Sequence, residues 1–266
     1  MRSGIMSVKT EREDENVDLS HFCYSSDNIP DGLGFSHFSF LHIFWLVLGI
    51  GLAVFCSLLY RRLGKKGRTR MRWILTALVV GDEIWKIAWL TALGLFTHSY
   101  LPFHLCSVNI FLILLFTVKP TRTVGNFLYG ICIPAAAAAL LFPTWTGLPF
   151  WNFMHLHSFS VHILLMVIPI MLTAGGDIRP DPRSLPRCLL LLAALGLVAK
   201  GANLLWSTNF MFLESASEGN PLYFFEQKFG NHLIGLPVLA GAVLTGMYLP
   251  LALYRRIRVK RGTAAA

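Results

Sequence analysis

Seven apolar stretches, set apart by short polar ones, run along the chain at residues 38–60, 72–96, 101–117, 123–142, 153–173, 187–207 and 232–254. A helix needs about 20 apolar residues to cross the hydrocarbon core of a bilayer, and each stretch meets or approaches that length. Prolines fall inside spans four, five and seven, at Pro134, Pro169 and Pro237. Membrane helices tolerate such interruptions because neighbouring groups take up the freed carbonyls. The pattern predicts an all-α polytopic membrane protein, a bundle of seven transmembrane helices.

The polar stretches between them predict an orientation. The first loop, "RRLGKKGRTRMR", is strongly basic, the third carries Lys119 and Arg122, the fifth Arg179, Arg183 and Arg187, and the C-terminal tail carries "RRIRVKR". Loops 97–100 and 143–152 carry no lysine or arginine, and loop 208–231 carries only Lys228. Basic residues stay on the cytoplasmic side, so the N-terminus is expected outside and the C-terminus in the cytoplasm. The expected organisation is a disordered extracytoplasmic tail (1–36), a seven-helix membrane domain (37–255) and a basic cytoplasmic tail (256–266).

Composition agrees with that class. Of the 266 residues, 55% are hydrophobic and 14% charged, against about 25% charged in a soluble domain. The formal net charge of +9 would suggest nucleic acid in a soluble protein, but here the basic residues flank helices, so no nucleic acid is expected. Five cysteines, an odd number mostly in or beside apolar segments, do not make a disulfide framework. None of the nucleotide-loop, zinc-protease, serine-hydrolase or zinc-knuckle motifs is present, which removes several common soluble chemistries.

Placed on this topology, all nine histidines fall on the outer side: His21, His37, His42, His98, His104, His155, His157, His162 and His232. Histidine suits a membrane interface as a polar tip on an apolar ring. Yet the equally wet inner face has none, which points to a polar cavity facing outward. "FPTWTGLPFW" (142–151) reads as an interfacial belt, and the long loop 209–232 reads as a lid or a spacer.

Charged residues also stand inside span two, in "GDEIWKIAW". Glu83 and Lys86 are three apart and Asp82 and Lys86 four apart, so either acid can reach the lysine on one helix face. Each charge is expensive at the bilayer centre and must face the bundle interior. Either the pair fixes packing, or Glu83 and Lys86 form part of a polar site wall. Lys200 in span six invites the same two readings.

In "YLPFHLCSVNIF" (100–111), His104 and Cys106 are two apart, hence about 200° apart on a helix. If both are helical, His104 cannot serve as base for Cys106. Phe103 and Asn109 share the face of Cys106. His162 lies about 13 Å below the start of span five and Cys106 about 8 Å below the start of span three, a gap within the two to four residues by which a span boundary shifts, so one depth is open to both. His155, seven residues earlier, shares the face of His162, whereas His157 points elsewhere. Cys106 is then either a small buried hydrophobe or a nucleophile with His162 as base. The sequence specifies no set of three convergent metal ligands.

Taken together, "GDEIWK" with Gly81, Glu83 and Lys86, "PFHLCSVNIF", "LLFP", "VHILLMVIPI" with His162, and "TNFMF" with Pro221 beyond resemble, in order and spacing, the transmembrane protein 164 / YwaF-like family. The resemblance covers about residues 72 to 250. It implies a lipid acyltransferase of the kind its animal members represent, which moves a fatty acyl chain onto a lysophospholipid through a cysteine with a histidine as base. The histidine carries over to His162. The cysteine does not: the animal order is Pro-Cys-His, whereas here it is Pro102-Phe103-His104, and the "HLC" of Cys106 is similar to bacterial relatives. The reading is therefore a Cys106/His162 site open to the outer leaflet of a bacterial inner membrane, supported by His104, Asn109, Glu83, Lys86, His155 and Asn209. Its partners are phospholipid and lysophospholipid, and it requires no cofactor. The competing reading is a small-solute carrier or receptor-like membrane protein. Against a carrier, the chain shows no pair of matching interrupted halves.

Overall fold

The computed structural model describes residues 21–24, 29–216 and 221–263, with side chains described as far as residue 253. These residues form helices and turns, with no strand among them. In chain order the α-helices are α1 (Phe40–Arg62), α2 (Lys65–Ala92), α3 (Leu105–Val118), α4 (Arg122–Phe127), α5 (Ile133–Leu141), α6 (Phe153–Gly175), α7 (Leu185–Trp206), α8 (Pro221–Phe229) and α9 (Gly235–Thr263). A π-helical turn, Leu128–Cys132, joins α4 to α5, and the three make one span, Arg122–Leu141.

Among the described residues, six segments are long and apolar enough to cross a membrane: Phe40–Arg62, His98–Val118, Arg122–Leu141, Phe153–Gly175, Pro182–Trp206 and His232–Leu253. The remaining expected span lies in α2, whose 28 residues give it ample length. It falls short on composition, because Asp82, Glu83 and Lys86 interrupt its apolar half.

Helix α6 is the centre of the bundle, packed against α1, α2, α3, α5 and the π turn. Its N-terminus is capped by Asn152, whose Oδ1 accepts from the N–H groups of Met154 and His155. This satisfies two of the donors that every helix start leaves open. Its C-terminus closes on Gly176, which takes the left-handed φ of 82° that glycine adopts without penalty. Halfway along, Pro169 lacks the N–H that would bond the carbonyl four residues back. That carbonyl, on Leu165, instead accepts the thiol of Cys132 at 3.3 Å. α1 lies close because Gly49 faces α6: a Cβ there would meet Ile163 at 3.3 Å.

Pro134 disturbs the fourth span in the same way, and the π turn immediately before it takes up the misfit. The seventh span departs from expectation. Pro237 stands in the first turn of α9, where its missing N–H has no helical partner to lose, and the proline inside that helix is Pro250. Gly130, in the π turn, lets α9 approach, since a Cβ there would meet the Tyr248 ring at 3.0 Å.

Described backbone extends beyond residues 37–255 on both sides. Residues 1–20 lie outside the described part, but the carbonyls of His21 and Tyr24 accept from Asn152 Nδ2. The Phe22 ring packs edge-on against Trp89 and Phe153. Part of the 1–36 tail is therefore docked on the bundle. At the other end, helical backbone continues to Thr263, past residue 256.

Candidate functional site

The elements leave a cavity of about 750 Å³ near one end of the bundle, within the size range of small-molecule and lipid-chain sites. One wall, from α2, α3 and α6, is polar and carries Glu83, Lys86, His104, Cys106, His157 and His162. The opposite wall, from α5, α7 and α9, is apolar and built largely of small side chains such as Ala135, Ala138, Gly196 and Ala240. A second cavity, about 430 Å³, sits at the other end around Asn126 and Asp181 and contains neither histidine nor cysteine.

On the polar wall, Cys106 Sγ and His162 Nε2 lie 3.1 Å apart. His162 Nδ1 lies 2.6 Å from the Ser158 carbonyl, which can only accept. The ring proton therefore sits on Nδ1, leaving Nε2 as acceptor for the thiol proton. The Trp145 ring stacks on the imidazole at 5.1 Å and 17°, holding its plane. Cys106 is the second residue of α3, and His104 at the cap makes no side-chain capping bond. Cys106 thus stands in the first turn of α3, where a helix N-terminus favours negative charge.

His104 is not helical, which removes the premise that it and Cys106 lie on opposite helix faces. It faces the same cavity with Nδ1 3.4 Å from the Met211 N–H and its ring edge-on to Phe210. Phe103 likewise precedes the helix and packs on Trp206 and Phe210, not one turn from Cys106.

Glu83 and Lys86 form a buried ion pair at 2.7 Å, both lining the cavity. Asp82 takes a different partner: its Oδ2 lies 3.0 Å from His157 Nδ1. His157 Nε2 is 3.9 Å from the second oxygen of Glu83, so the imidazole stands between the two acids. Asp82, Glu83, Lys86 and His157 form one cluster of charge and proximity, with the Glu83–Lys86 contact hydrogen-bonded and the Asp82–His157 approach lacking hydrogen-bond alignment.

The remaining candidates fall outside the cavity. His155 is fully buried, accepting from Trp45 Nε1 at 3.0 Å and facing the Leu148 carbonyl at 3.1 Å, so it fastens α1 and the 142–151 loop to α6. Asn109 is buried one turn below Cys106, and its Oδ1 has no hydrogen-bond partner among the described residues. Asn209 braces the outer loop: its Oδ1 accepts from Glu214 N, and its Nδ2 donates to the Ser215 carbonyl.

Sequence reasoning left His157, Trp145, Met211 and Phe212 out of the site, and all four line the cavity. The pair of acids at 82 and 83 was a signal for a second partner on α6. Met211 and Phe212 have φ values of 56° and 55°, left-handed and strained for non-glycine residues. Asn203 holds this backbone by accepting from Phe210 N at 2.7 Å, and His232 Nε2 lies 3.0 Å from the Phe212 carbonyl. Lys200 closes the loop from α7 by donating to both oxygens of Glu214 at 2.8 Å, and that hydrogen bond holds the Glu214 carboxyl below its usual range.

A bundle of apolar membrane-length helices around an amphipathic cavity, with a thiol and an imidazole in hydrogen-bond contact on its polar wall, defines a multipass integral membrane protein with a built interior site. The TMEM164 family model matches residues 33–248, and the chain belongs to that family. The matched range holds every residue of the site. Comparison with curated proteins and with solved structures finds no match.

Proposed function

We propose that this protein moves a fatty acyl chain between phospholipids through Cys106, with His162 as general base and acid. The observation that carries the reading is the 3.1 Å contact between Cys106 Sγ and His162 Nε2 in a cavity with one polar and one apolar wall. A nucleophile and a base in hydrogen-bond reach, with the base oriented by a third group, is the geometry of covalent catalysis. Here the third group is the Ser158 carbonyl.

The thiol proton passes to His162 Nε2 as sulfur attacks the ester carbonyl of a donor phospholipid. The resulting oxyanion accepts from the N–H groups at the start of α3. On collapse the carbonyl–oxygen ester bond breaks, and the leaving lysophospholipid oxygen takes the proton from the imidazolium. The product is a Cys106 thioester. An acceptor lysophospholipid then gives its hydroxyl proton to Nε2 and attacks the thioester, and the expelled thiolate recovers the proton. Water as acceptor would instead release a fatty acid. Lys86 and His104 face the region where the headgroup and its phosphate lie, and Lys86 is anchored there by Glu83.

The test is to incubate purified protein with phospholipid carrying a labelled acyl chain and to map label by peptide mass spectrometry. A hydroxylamine-sensitive label on Cys106 is the expected result. A carrier or receptor gives none, and its absence under turnover conditions would overturn the reading.

The site opens to the outer leaflet in this proposal, with seven spans, N-terminus outside and C-terminus in the cytoplasm. The charge bias of the loops supports that orientation, as does the accumulation of histidines at the end of the bundle opposite the basic loops. Single cysteines at 66 and 258 should react with an impermeant maleimide only in opened membranes, and one at 147 in intact cells. Labelling of position 66 from outside would invert the topology.

A further inference from the structure

We infer that the apolar wall is a chain slot whose floor sets the length of acyl chain this protein accepts. The inference rests on the acyl-transfer reading for its chemistry, but it concerns only what the cavity holds.

Three observations carry it. First, the lining divides by element: the Glu83 carboxylate, Lys86 and the imidazoles come from α2, α3 with its cap, and α6, and no charged side chain comes from α5, α7 or α9. An elongated ligand with one polar end and one apolar body fits such a division, and a wholly polar solute does not. Second, small side chains clear the slot. A Cβ built at Gly196 on α7 meets nothing within 4 Å, so the space in front of it is open cavity. From Phe142 to Ile131 the α5 side runs about 16 Å at the helical rise, the shape of a groove more than a chamber. α9 meets the rest of the bundle through α8, the His232–Ile234 turn and the π turn, and makes little contact with α7. The slot can therefore be entered sideways from surrounding lipid.

Third, the slot has a built end. Gly130, Ile131, Leu192 and Leu244 line its bottom. Gly130 lies against Tyr248 and Leu244, at 3.0 Å and 3.4 Å from an ideal Cβ. Tyr248 is 4% exposed, and its hydroxyl lies within 3.4 Å of both the carbonyl and the Oδ1 of Asn126. Tyr129 donates to the Met247 carbonyl at 2.9 Å beside it. α9 is thus tied to the π turn at the one level where the slot must stop. The occupant is one acyl chain of a membrane lipid, with its carbonyl at Cys106 and its methyl end toward Leu192 and Leu244.

The experiment uses the full chain with Cys106→Ala, so that no acyl group is transferred. The protein is incubated with an equimolar mixture of lauroyl, palmitoyl and stearoyl lysophosphatidylcholine, and the lipid retained after chromatography is quantified by mass spectrometry. Adding Gly196→Phe, which fills the slot just above the floor, should weaken palmitoyl and stearoyl retention about tenfold relative to lauroyl, about 1.4 kcal/mol. Adding Leu244→Ala, which deepens the slot, should raise stearoyl relative to palmitoyl. That gain cannot arise from misfolding, so it decides the matter if the glycine variant fails to fold. Unchanged chain ratios in Leu244→Ala, or no retained lipid in the Cys106→Ala parent, would overturn the slot. Failure of the acyl-transfer reading shows separately, as missing thioester on wild-type Cys106, and leaves these ratios as they are.

Discussion

Cys106→Ala should leave the bundle folded and reduce acyl transfer by about three orders of magnitude or more, the scale seen when a nucleophile that acts as a unit with its base is removed. His162→Ala should cost as much, and the double variant no more than either single one. The expected non-additivity follows from the geometry: Nε2 has one reacting partner, the sulfur at 3.1 Å, so neither group retains its role without the other. Both positions are partly buried, with neighbours that hold them independently. Trp145 stacks on His162, and Cys106 stands in the first turn of a helix that starts without its side chain. His104→Ala should be milder, since the His104 ring accepts from the Met211 N–H and the hydrogen-bond partner of the sulfur is His162. The measurement is transfer of a labelled chain to lysophospholipid, with folding followed by size-exclusion profile. Activity that survives Cys106→Ala but not His162→Ala would exclude the thioester. It would leave His162 to activate a lipid hydroxyl or water directly.

The meeting of Cys106 and His162 was legible because it depends on depth, and depth follows from counting residues at a fixed rise along apolar spans. The two side chains lie 3.1 Å apart. What lies around the pair was less legible, for two physical reasons. A helical wheel says which residues share a face but not which neighbour covers that face. His155 shares the face of His162, yet α1 closes over it and Trp45 takes its Nε2, while His157, on another face, meets α2. The other reason is that loops contribute side chains at positions no periodicity fixes. Trp145 and Met211 come from such segments, as does Glu214, the partner of Lys200. Likewise the docking of Phe22 on Trp89 depends on a short apolar foothold in an otherwise polar tail. The helix boundaries themselves followed the apolar stretches closely. The exceptions were α2, which starts at Lys65, α9, which runs on to Thr263, and the start of α3, where the chain stays extended through His104, placing His104 and Cys106 in one cavity.

Replacing Lys86 by methionine should destabilise the protein by about 3–5 kcal/mol, the range for removing one member of a buried ion pair. Glu83 and Lys86 have side chains only 5% and 7% exposed, at 2.7 Å from each other, and Asp82 stands beside them. Without the ammonium, two neighbouring carboxylates share one imidazole, His157, as their nearest polar partner. Burial of an uncompensated charge, not loss of the attraction itself, is what makes the single replacement severe. Removing Glu83 as well, as Glu83→Gln with Lys86→Met, takes away the stranded charge and should recover much of the loss. Thermal unfolding of wild type, Lys86→Met, Glu83→Gln and the double variant, followed by retained monomer in detergent, closes the cycle. The double variant should unfold above Lys86→Met, and a double variant less stable than the single one would show that the two side chains are not a pair in the membrane. A recovered fold without recovered acyl transfer would separate the second role of Lys86, facing the lipid headgroup across the cavity, from its role in holding Glu83.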